Sequence, residues 1–192
     1  MTPEEFYILN KDKIYKTAEF VANRRGVGVE SIVESIKEEY KNANGSSHEE
    51  IVWVGNSSIN LSNYLNSFRK LEFERLMVFL VLNGEMMEIY HSDGDQFSSF
   101  FTDNEIIKAI TDVKKKLCAL KHIYLYMCHN HPFTYKAFPS EQDLQSYQGL
   151  KNTIRLMNSI DGFTIVEFVD YGIVTNFDYW SLEQQYKSIQ DK

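Results

Sequence analysis

Two histidines and an aspartate lie close together in the sequence, in an arrangement that could bind a metal ion. His129 and His131 follow an apolar, β-branched and aromatic run at residues 122–128, which is typical of a buried strand. Residues i and i+2 at a strand end project from the same face, so both imidazoles should point into one space. With Asp143 they make three ligands for zinc and leave a fourth position for water, as catalytic zinc sites do.

Asp143 falls at the start of a predicted helix. Apolar residues recur at helical spacing after it, namely Leu144, Tyr147, Leu150 and Ile154. Ser140 is the natural N-cap of that helix, which places Asp143 at position N3. A carboxylate at N3 also interacts favourably with the helix dipole, and a histidine is often only a hydrogen-bonded structural residue. Spacing alone therefore leaves a metal site and a structural role both open.

The whole set of residues resembles the signature of the JAMM/MPN-type zinc metalloproteases. That signature is His-x-His, a spacer and Ser-x-x-Asp, with a glutamate on an earlier strand. The motif residues here are most similar to those of the RadC-like branch of the family; they are His129, Asn130, His131, Pro132, Pro139, Ser140 and Asp143. The spacer at residues 132–139 is one residue longer than is usual in the family, a change that a loop tolerates better than a strand or helix. The resemblance covers about residues 57–177.

In that family the glutamate is a general base at the start of the strand before a hairpin, and Glu74 matches this position. Glu74 shares its alternating strand face with Leu76 and Val78, so burial would raise its pKa as a base requires. Glu72 has the same parity and is the alternative base, whereas a solvated charge at a strand end is the structural explanation for Glu74. The resemblance also implies that Ser140 donates to the oxyanion of the tetrahedral intermediate, while its position alone predicts an N-cap.

The resemblance implies a mixed α/β fold, a cytidine-deaminase-like JAB/MPN domain with a central mixed sheet flanked by helices. The order of the predicted elements agrees with that class. The sequence predicts a strand at 51–54, a helix around 61–68, and a hairpin of strands 74–82 and 85–90 turning at Asn83 and Gly84. After it come a loop at 91–95, a helix from Thr102 that buries Leu117 and Leu120, the strand before His129, and a helix at 141–159. Two strands at 163–169 and 173–177 around Asp170, Tyr171 and Gly172, and a short helix in the tail from Trp180 to Lys192, complete the prediction.

The N-terminal part of the sequence predicts two helices. Thr2, Pro3 and Glu5 form a capping box with proline at the first helical position, and this helix should end near Arg25. A second helix is predicted from about residue 30 to residue 40, before a polar cluster at 42–47. We therefore predict an N-terminal helical pair at 1–48, packed on the rest or binding a partner, and a metalloprotease domain at 49–192. Arg24 and Arg25 are explained by the helix dipole without a ligand.

Charge and cysteine content narrow the class of function. A net charge of −7 speaks against nonspecific binding to nucleic acid or an anionic membrane. Cys118 and Cys128 make no disulfide framework, and the sequence shows no signal peptide or membrane span, so a cytoplasmic location is expected. Strand alternation places Cys128 on the face opposite His129, which favours packing over a role as nucleophile or fourth ligand. His91, beside two aspartates, belongs to turn chemistry rather than to a second metal site.

The function implied by the resemblance is hydrolysis by a zinc-dependent peptidase or isopeptidase. Its substrate would be the C-terminal tail of a ubiquitin-like or sulfur-carrier-like protein, held as an added strand at a sheet edge. The alternatives are a non-catalytic binding module that keeps the fold and a DNA-associated RadC-like protein. The acidic balance and the lack of a glycine-rich DNA-binding segment in residues 1–50 count against the latter. The sequence does not determine an oligomeric state.

Overall fold

A computed structural model describes residues 1–43, 50–54, 57–82, 84–116, 122–160 and 164–183. Within these residues the N-terminal part forms three helices, α1 (Pro3–Leu9), α2 (Lys11–Arg25) and α3 (Val29–Lys41). The rest contains β1 (Ile51–Val54), β2 (Ser57–Asn60), α4 (Ser62–Phe68), β3 (Arg75–Leu82), β4 (Glu85–Asp93), α5 (Asp103–Lys116), β5 (His122–Asn130), α6 (Glu141–Ile160), β6 (Ile165–Val174) and β7 (Tyr179–Ser181).

The main sheet is mixed and has the strand order β4-β3-β5-β6-β7. Strands β5 and β6 are parallel, and the other neighbours are antiparallel. Helix α6 provides the crossover that a parallel pair requires. A mixed α/β fold with a central sheet and flanking helices is therefore confirmed. The described helices include none that is both long and apolar enough to cross a membrane.

Both faces of the main sheet are covered, which explains why β5 is apolar along most of its length. On one face the sheet packs against α5 and α6, through Leu76, Met127, Ile106, Ile110, Tyr147, Leu150 and Ile154. On the other face it packs against α4 and the β1–β2 hairpin, through Phe79, Val81, Tyr126, Cys128, Val52, Ile59, Leu61 and Leu65. Cys128 is fully buried in this second cluster, as strand alternation predicts.

The N-terminal helices pack on the loop that follows β5. An aromatic cluster joins them, in which Tyr7, Ile14 and Tyr40 bury the ring of Phe133. Phe133 has a φ of 62°, a left-handed conformation that is uncommon for a bulky residue. Burial of its ring against three helices offsets the strain of this backbone conformation. The spacer after the two histidines is thus anchored to the N-terminal helices.

Several predicted elements differ from the observed ones. The single N-terminal helix is broken at Asn10, whose side-chain amide donates to the Phe6 carbonyl and ends α1. The strands expected at 163–169 and 173–177 are one strand, which pairs with β5 from Ile165 to Val174; Asp170 is buried within it and accepts from the backbone of Tyr171 and of Glu183. Strand β4 continues to Asp93, so His91 lies in a strand and not in a loop. Strands β2 and β7 were not predicted, and β7 places Trp180 in a strand where the sequence predicted the start of a helix, because β7 pairs with β6.

The predicted hairpin is confirmed by the antiparallel pairing of β3 with β4. Gly84 has a φ of 81°, which only glycine adopts readily.

Several other predictions fall on positions outside the described residues: Asn83, Leu117, Cys118, Leu120, most of the polar cluster at 42–47, the start of the strand at 163–169 and nearly all of the C-terminal helix. The division into two domains stays a prediction.

Candidate metal centre

Strand register brings Glu74 and the two histidines to one place. Strands β3 and β5 are antiparallel, with Leu76 opposite His129. Continuing that register outward puts Glu74 opposite His131, on the same face of the sheet, because side chains alternate with a period of two. That face is the one covered by α6, which carries Asp143 near its first residue. The end of β5, the start of β3 and the start of α6 therefore meet at one site.

The side chains of His129, His131 and Asp143 converge closely. The Nε2 atoms of the two histidines are 2.8 Å apart. The carboxylate oxygens of Asp143 lie 3.2 Å from Nε2 of His129 and 3.6 Å from Nε2 of His131. A tetrahedral ion with ligand bonds of about 2.0–2.1 Å separates its ligands by about 3.3 Å. The three distances fall on both sides of that value, so these residues could hold one metal ion between them.

Tautomer chemistry at His129 also fits a metal ligand. Its Nε2 faces the other two side chains, so Nδ1 is the nitrogen that carries the proton of a neutral ligating imidazole. Nδ1 is buried and has no hydrogen-bond partner among the described residues. A metal-ligating histidine ordinarily donates this second ring N–H to a carboxylate, a carbonyl or a water, and an unpartnered buried polar atom destabilises the fold by about 1–3 kcal/mol.

Asp143 is positioned by the N-terminus of its own helix. The backbone N–H of Asp143 donates to Oγ of Ser140 at 3.2 Å, and the backbone N–H of Ser140 donates to the Asp143 carboxylate at 2.6 Å. The N-cap and N3 positions predicted for these residues are thus observed, as a reciprocal capping box. Burial by itself would raise the pKa of Asp143, but charge attraction and hydrogen bonds from His129 and His131 outweigh it and hold that pKa well below its ordinary value.

Glu74 lies in the same cleft as the three ligand residues and is 9% exposed. Burial raises its pKa to about 7; nearby His131 opposes this shift, and the negative charge of Asp143 adds to it. A carboxylate with a pKa near neutrality can both accept and return a proton. Glu72, the alternative base, points elsewhere: its side chain is 64% exposed and forms an ion pair with Lys13.

A tight loop holds Glu74 from the side of β4. The backbone of Glu74 donates to the Asp95 carbonyl and accepts from the Gly94 N–H. The nearby backbone of Ser99 favours the charged carboxylate and so lowers the pKa of Glu74, against the larger effect of burial. Gly94 is required in this loop, because a Cβ atom there would lie 1.8 Å from the carbonyl oxygen of Ser98. The loop at 94–99 therefore has little freedom to move away from the carboxylate.

We expect Gly94→Ala to destabilise the protein by about 1–3 kcal/mol, since the added methyl group forces the loop apart. Gly149→Ala is the matched control, because Gly149 lies on an exposed face of α6 with nothing near its Cβ position. Alanine in a helix interior should stabilise the fold by about 0.5–1 kcal/mol relative to glycine. Chemical denaturation of both variants measures the difference. Equal stability of the two variants would contradict the packing described for the loop.

Asn130, between the two histidines, fixes the backbone on both sides of Glu74. Its side-chain oxygen accepts from the Arg75 N–H at 2.7 Å, and its amide nitrogen donates to the Phe73 carbonyl at 2.9 Å. The side chain is buried and points away from the metal ligands, as strand alternation predicts. Asn130 thus links the strand of the histidines to the residue expected to act as base.

Replacing Asn130 by alanine should cost on the order of 2–3 kcal/mol of folding free energy, because it leaves two backbone groups without their partners. Metal binding should persist, since His129, His131 and Asp143 keep their ligand atoms. Denaturation curves together with metal analysis check both halves of this expectation. Asn152→Ala, at an exposed position of α6, is the control and should change neither quantity. Loss of metal from Asn130→Ala would show that the residue acts on the ligands and not on Glu74.

The cleft around the ligand residues has a volume of about 480 Å³. The start of α6 lines it, and so does a stripe along α2 that includes Thr17, Phe20, Val21, Arg24 and Arg25. Sequence reasoning did not assign these α2 residues to the site. Their helical spacing indicates a shared face, but nothing local in the sequence indicates what that face is turned toward.

The other candidate residues lie outside this site. His91 is exposed and pairs with Glu88, three residues earlier in β4, so it does not join the metal ligands. Burial raises the pKa of the Cys128 thiol far above its ordinary value, which disfavours the thiolate that a nucleophile or metal ligand needs.

A scan against protein-family models gave no match for this chain, and a search of curated proteins gave none either.

Proposed function

We propose that this protein is a zinc-dependent peptidase of the JAMM type, built on a JAB-like fold. One observation carries the proposal: a buried carboxylate with a pKa of about 7 shares a cleft with two imidazoles and a second carboxylate that could bind a metal. Hydrolysis of an amide needs a metal-activated water and a base beside it. The residue types that supply both functions are present together.

His129, His131 and Asp143 would hold the metal, leaving at least one position open for water. When bound, zinc lowers the pKa of a coordinated water toward about 7 and polarises the substrate carbonyl. The same donor set also serves iron(II) in oxygenases. Glu74 favours the hydrolytic alternative, because a buried general base is what amide hydrolysis requires of the protein.

Glu74 would take the proton of the attacking water and later give it to the leaving amine. Burial raises its pKa in the metal-free protein, and a bound cation would oppose that shift, so near neutral pH the carboxylate form is present to accept the proton. Backbone bonds from the loop at 94–99 and the Asn130 clamp fix the backbone at residues 73–75, and they leave the Glu74 carboxylate free to accept a proton.

Ser140 would donate a hydrogen bond to the oxyanion of the tetrahedral intermediate. Its Oγ accepts from the Asp143 N–H, which leaves the hydroxyl proton available for another acceptor. Ser140 also lines the cleft. Capping of α6 and stabilisation of the oxyanion are therefore compatible roles for the same side chain.

The proposed substrate is the C-terminal tail of a ubiquitin-like or sulfur-carrier-like protein, joined through an amide or isopeptide bond. This part of the proposal rests on analogy with the JAMM proteases. An extended tail needs an open groove, and the cleft between α2 and α6 is large enough for a few residues. The strands at the ends of the main sheet, β4 and β7, offer edges along which such a tail could pair.

Metal analysis and a cleavage assay test the proposal. Protein purified without added metal should contain about one zinc per chain, because a three-residue site retains its ion through purification. A panel of ubiquitin-like fusions should include one that is cleaved, and a chelator should stop cleavage. Zinc without any cleavage favours the non-catalytic scaffold, and bound iron in place of zinc would contradict the proposed chemistry.

A further inference from the structure

Two arginines lie on the α2 wall of the metal cleft without acidic partners. Arg24 and Arg25 line the cleft together with the ligand residues. Neither guanidinium forms an ion pair with a carboxylate among the residues that the structure describes. By contrast, Arg69 is paired with Glu50 and Arg75 with Asp93. Arg24 and Arg25 share this lack of a partner with some cations elsewhere in the described chain, such as Arg155, but they differ from Arg155 in lining the metal cleft.

The helix dipole explains a positive charge in the last turn of α2 but not its location in a cleft. Arg24 and Arg25 do occupy that last turn, and Gly26 ends the helix in a left-handed conformation. The dipole contributes the same stabilisation wherever the helix end lies. Here the helix end lines the same cleft as Ser140 and the metal ligands, so the two charges border the space that a substrate would enter.

Aromatic and polar contacts hold the side of α2 that lines the cleft. Phe20 stacks on Phe97 with ring centroids 4.6 Å apart, and the Arg24 guanidinium lies over the Phe20 ring at 5.5 Å. Gln96 donates to Oγ1 of Thr17 at 2.8 Å. A guanidinium stacked on an aromatic ring keeps its planar donors free to form paired hydrogen bonds with a carboxylate.

We infer that the substrate segment entering this cleft carries carboxylate groups, which Arg24 and Arg25 recognise. The inference rests on the proposed function only in calling the bound segment a substrate. The carboxylates are either acidic side chains or a free C-terminus, since both present the same two oxygens to a guanidinium. Glu141, at the start of α6, also lines the cleft and is not a metal ligand, so an acidic segment is attracted to the arginines of α2 and repelled by this carboxylate. This polarity fixes the side on which the segment binds.

Binding of short fluorescent peptides to full-length protein carrying Glu74→Gln tests the inference without hydrolysis. The peptides differ in two ways: acidic or amide side chains, and a free or amidated C-terminus. Anisotropy titrations should show tighter binding of at least one carboxylate form over its uncharged counterpart. The double variant Arg24→Gln/Arg25→Gln should weaken that binding about five- to tenfold, as expected for two partly exposed ion pairs.

Lys11→Gln/Lys16→Gln is the matched control, since both lysines are exposed on α2 and neither lines the cleft. It removes the same charge and should leave peptide affinity unchanged. Equal weakening by both double variants, or equal affinity for charged and uncharged peptides, overturns the inference. If zinc-loaded wild type cleaves no fusion while arginine-dependent binding persists, the peptidase proposal fails and the inference stands. If the zinc-loaded wild type and the zinc-loaded Arg24→Gln/Arg25→Gln variant both cleave charged and uncharged tails equally well, the inference fails and the peptidase proposal stands.

Discussion

Replacing Glu74 by glutamine should abolish hydrolysis and, in the metal-free protein, stabilise the fold at alkaline pH. Glutamine has nearly the same shape as glutamate but cannot accept the proton of the attacking water, so the rate should fall by about 10²–10⁴-fold. Metal content should not change, because Glu74 is not among the three ligand residues. The burial that raises the pKa of Glu74 should also destabilise the folded state whenever this carboxylate is ionised.

The sign of the stability effect follows from the raised pKa of Glu74. Its ordinary value is 4.5 and its value in the folded protein is about 7. Below pH 4.5 the side chain is protonated in both states and the wild type suffers no penalty. As pH rises from about 4.5 to about 7, the unfolded chain ionises first, and the folded state loses stability relative to it. Above about pH 7 the full penalty is present, on the order of 3 kcal/mol, and Glu74→Gln removes it.

Chemical denaturation in the presence of a chelator, at about pH 5 and about pH 8, measures this effect. The stability gained by Glu74→Gln should be larger at the higher pH. Glu72→Gln is the matched control: Glu72 is exposed and its ion pair with Lys13 lies at the surface, so this variant should change stability by less than about 1 kcal/mol and leave hydrolysis intact. Full activity of Glu74→Gln would show that Glu74 is not the base.

Replacing His131 by alanine should remove both metal and activity. Loss of one imidazole leaves only two protein ligands for the ion. Replacing a residue that only hydrogen-bonds to a ligand weakens metal binding by up to about a hundredfold, so loss of a ligand itself should weaken zinc binding by more than that. Added zinc should raise the thermal unfolding midpoint of the wild type, because an ion that binds only the folded state stabilises it. In His131→Ala that increase should be absent at the same zinc concentration.

His91→Ala provides the control for this experiment. His91 is exposed on β4 and pairs with Glu88, and it belongs to no group of metal-ligating side chains in the described chain. Its removal should leave zinc content, the zinc-dependent rise in unfolding midpoint and hydrolysis as in the wild type. Retention of stoichiometric zinc by His131→Ala would show that the three side chains do not form the metal site.

The local patterns predicted well the elements that carry the site. The capping box of Ser140 and Asp143 and the alternation along β5 depend on residues a few positions apart, and both are observed. Prediction was weaker where a buried contact changes the meaning of a local signal. Asp170 and Gly172 have the composition of a turn, yet they lie within β6, because Gly172 leaves room for the hydroxyl of Tyr126, which a Cβ atom would approach to 2.3 Å. A distant tyrosine thus decides the conformation.

The sequence by itself determined which residues could bind a metal, which glutamates could act as base, and that the domain is mixed α/β. These depend on residue type and on spacing within single strands and helices. Only the tertiary structure decided between Glu74 and Glu72 as the residue in the cleft, because that choice depends on the register of β3 against β5. It also placed α2 beside the metal ligands, since the face that a helix buries is fixed by what packs against it and not by its own periodicity.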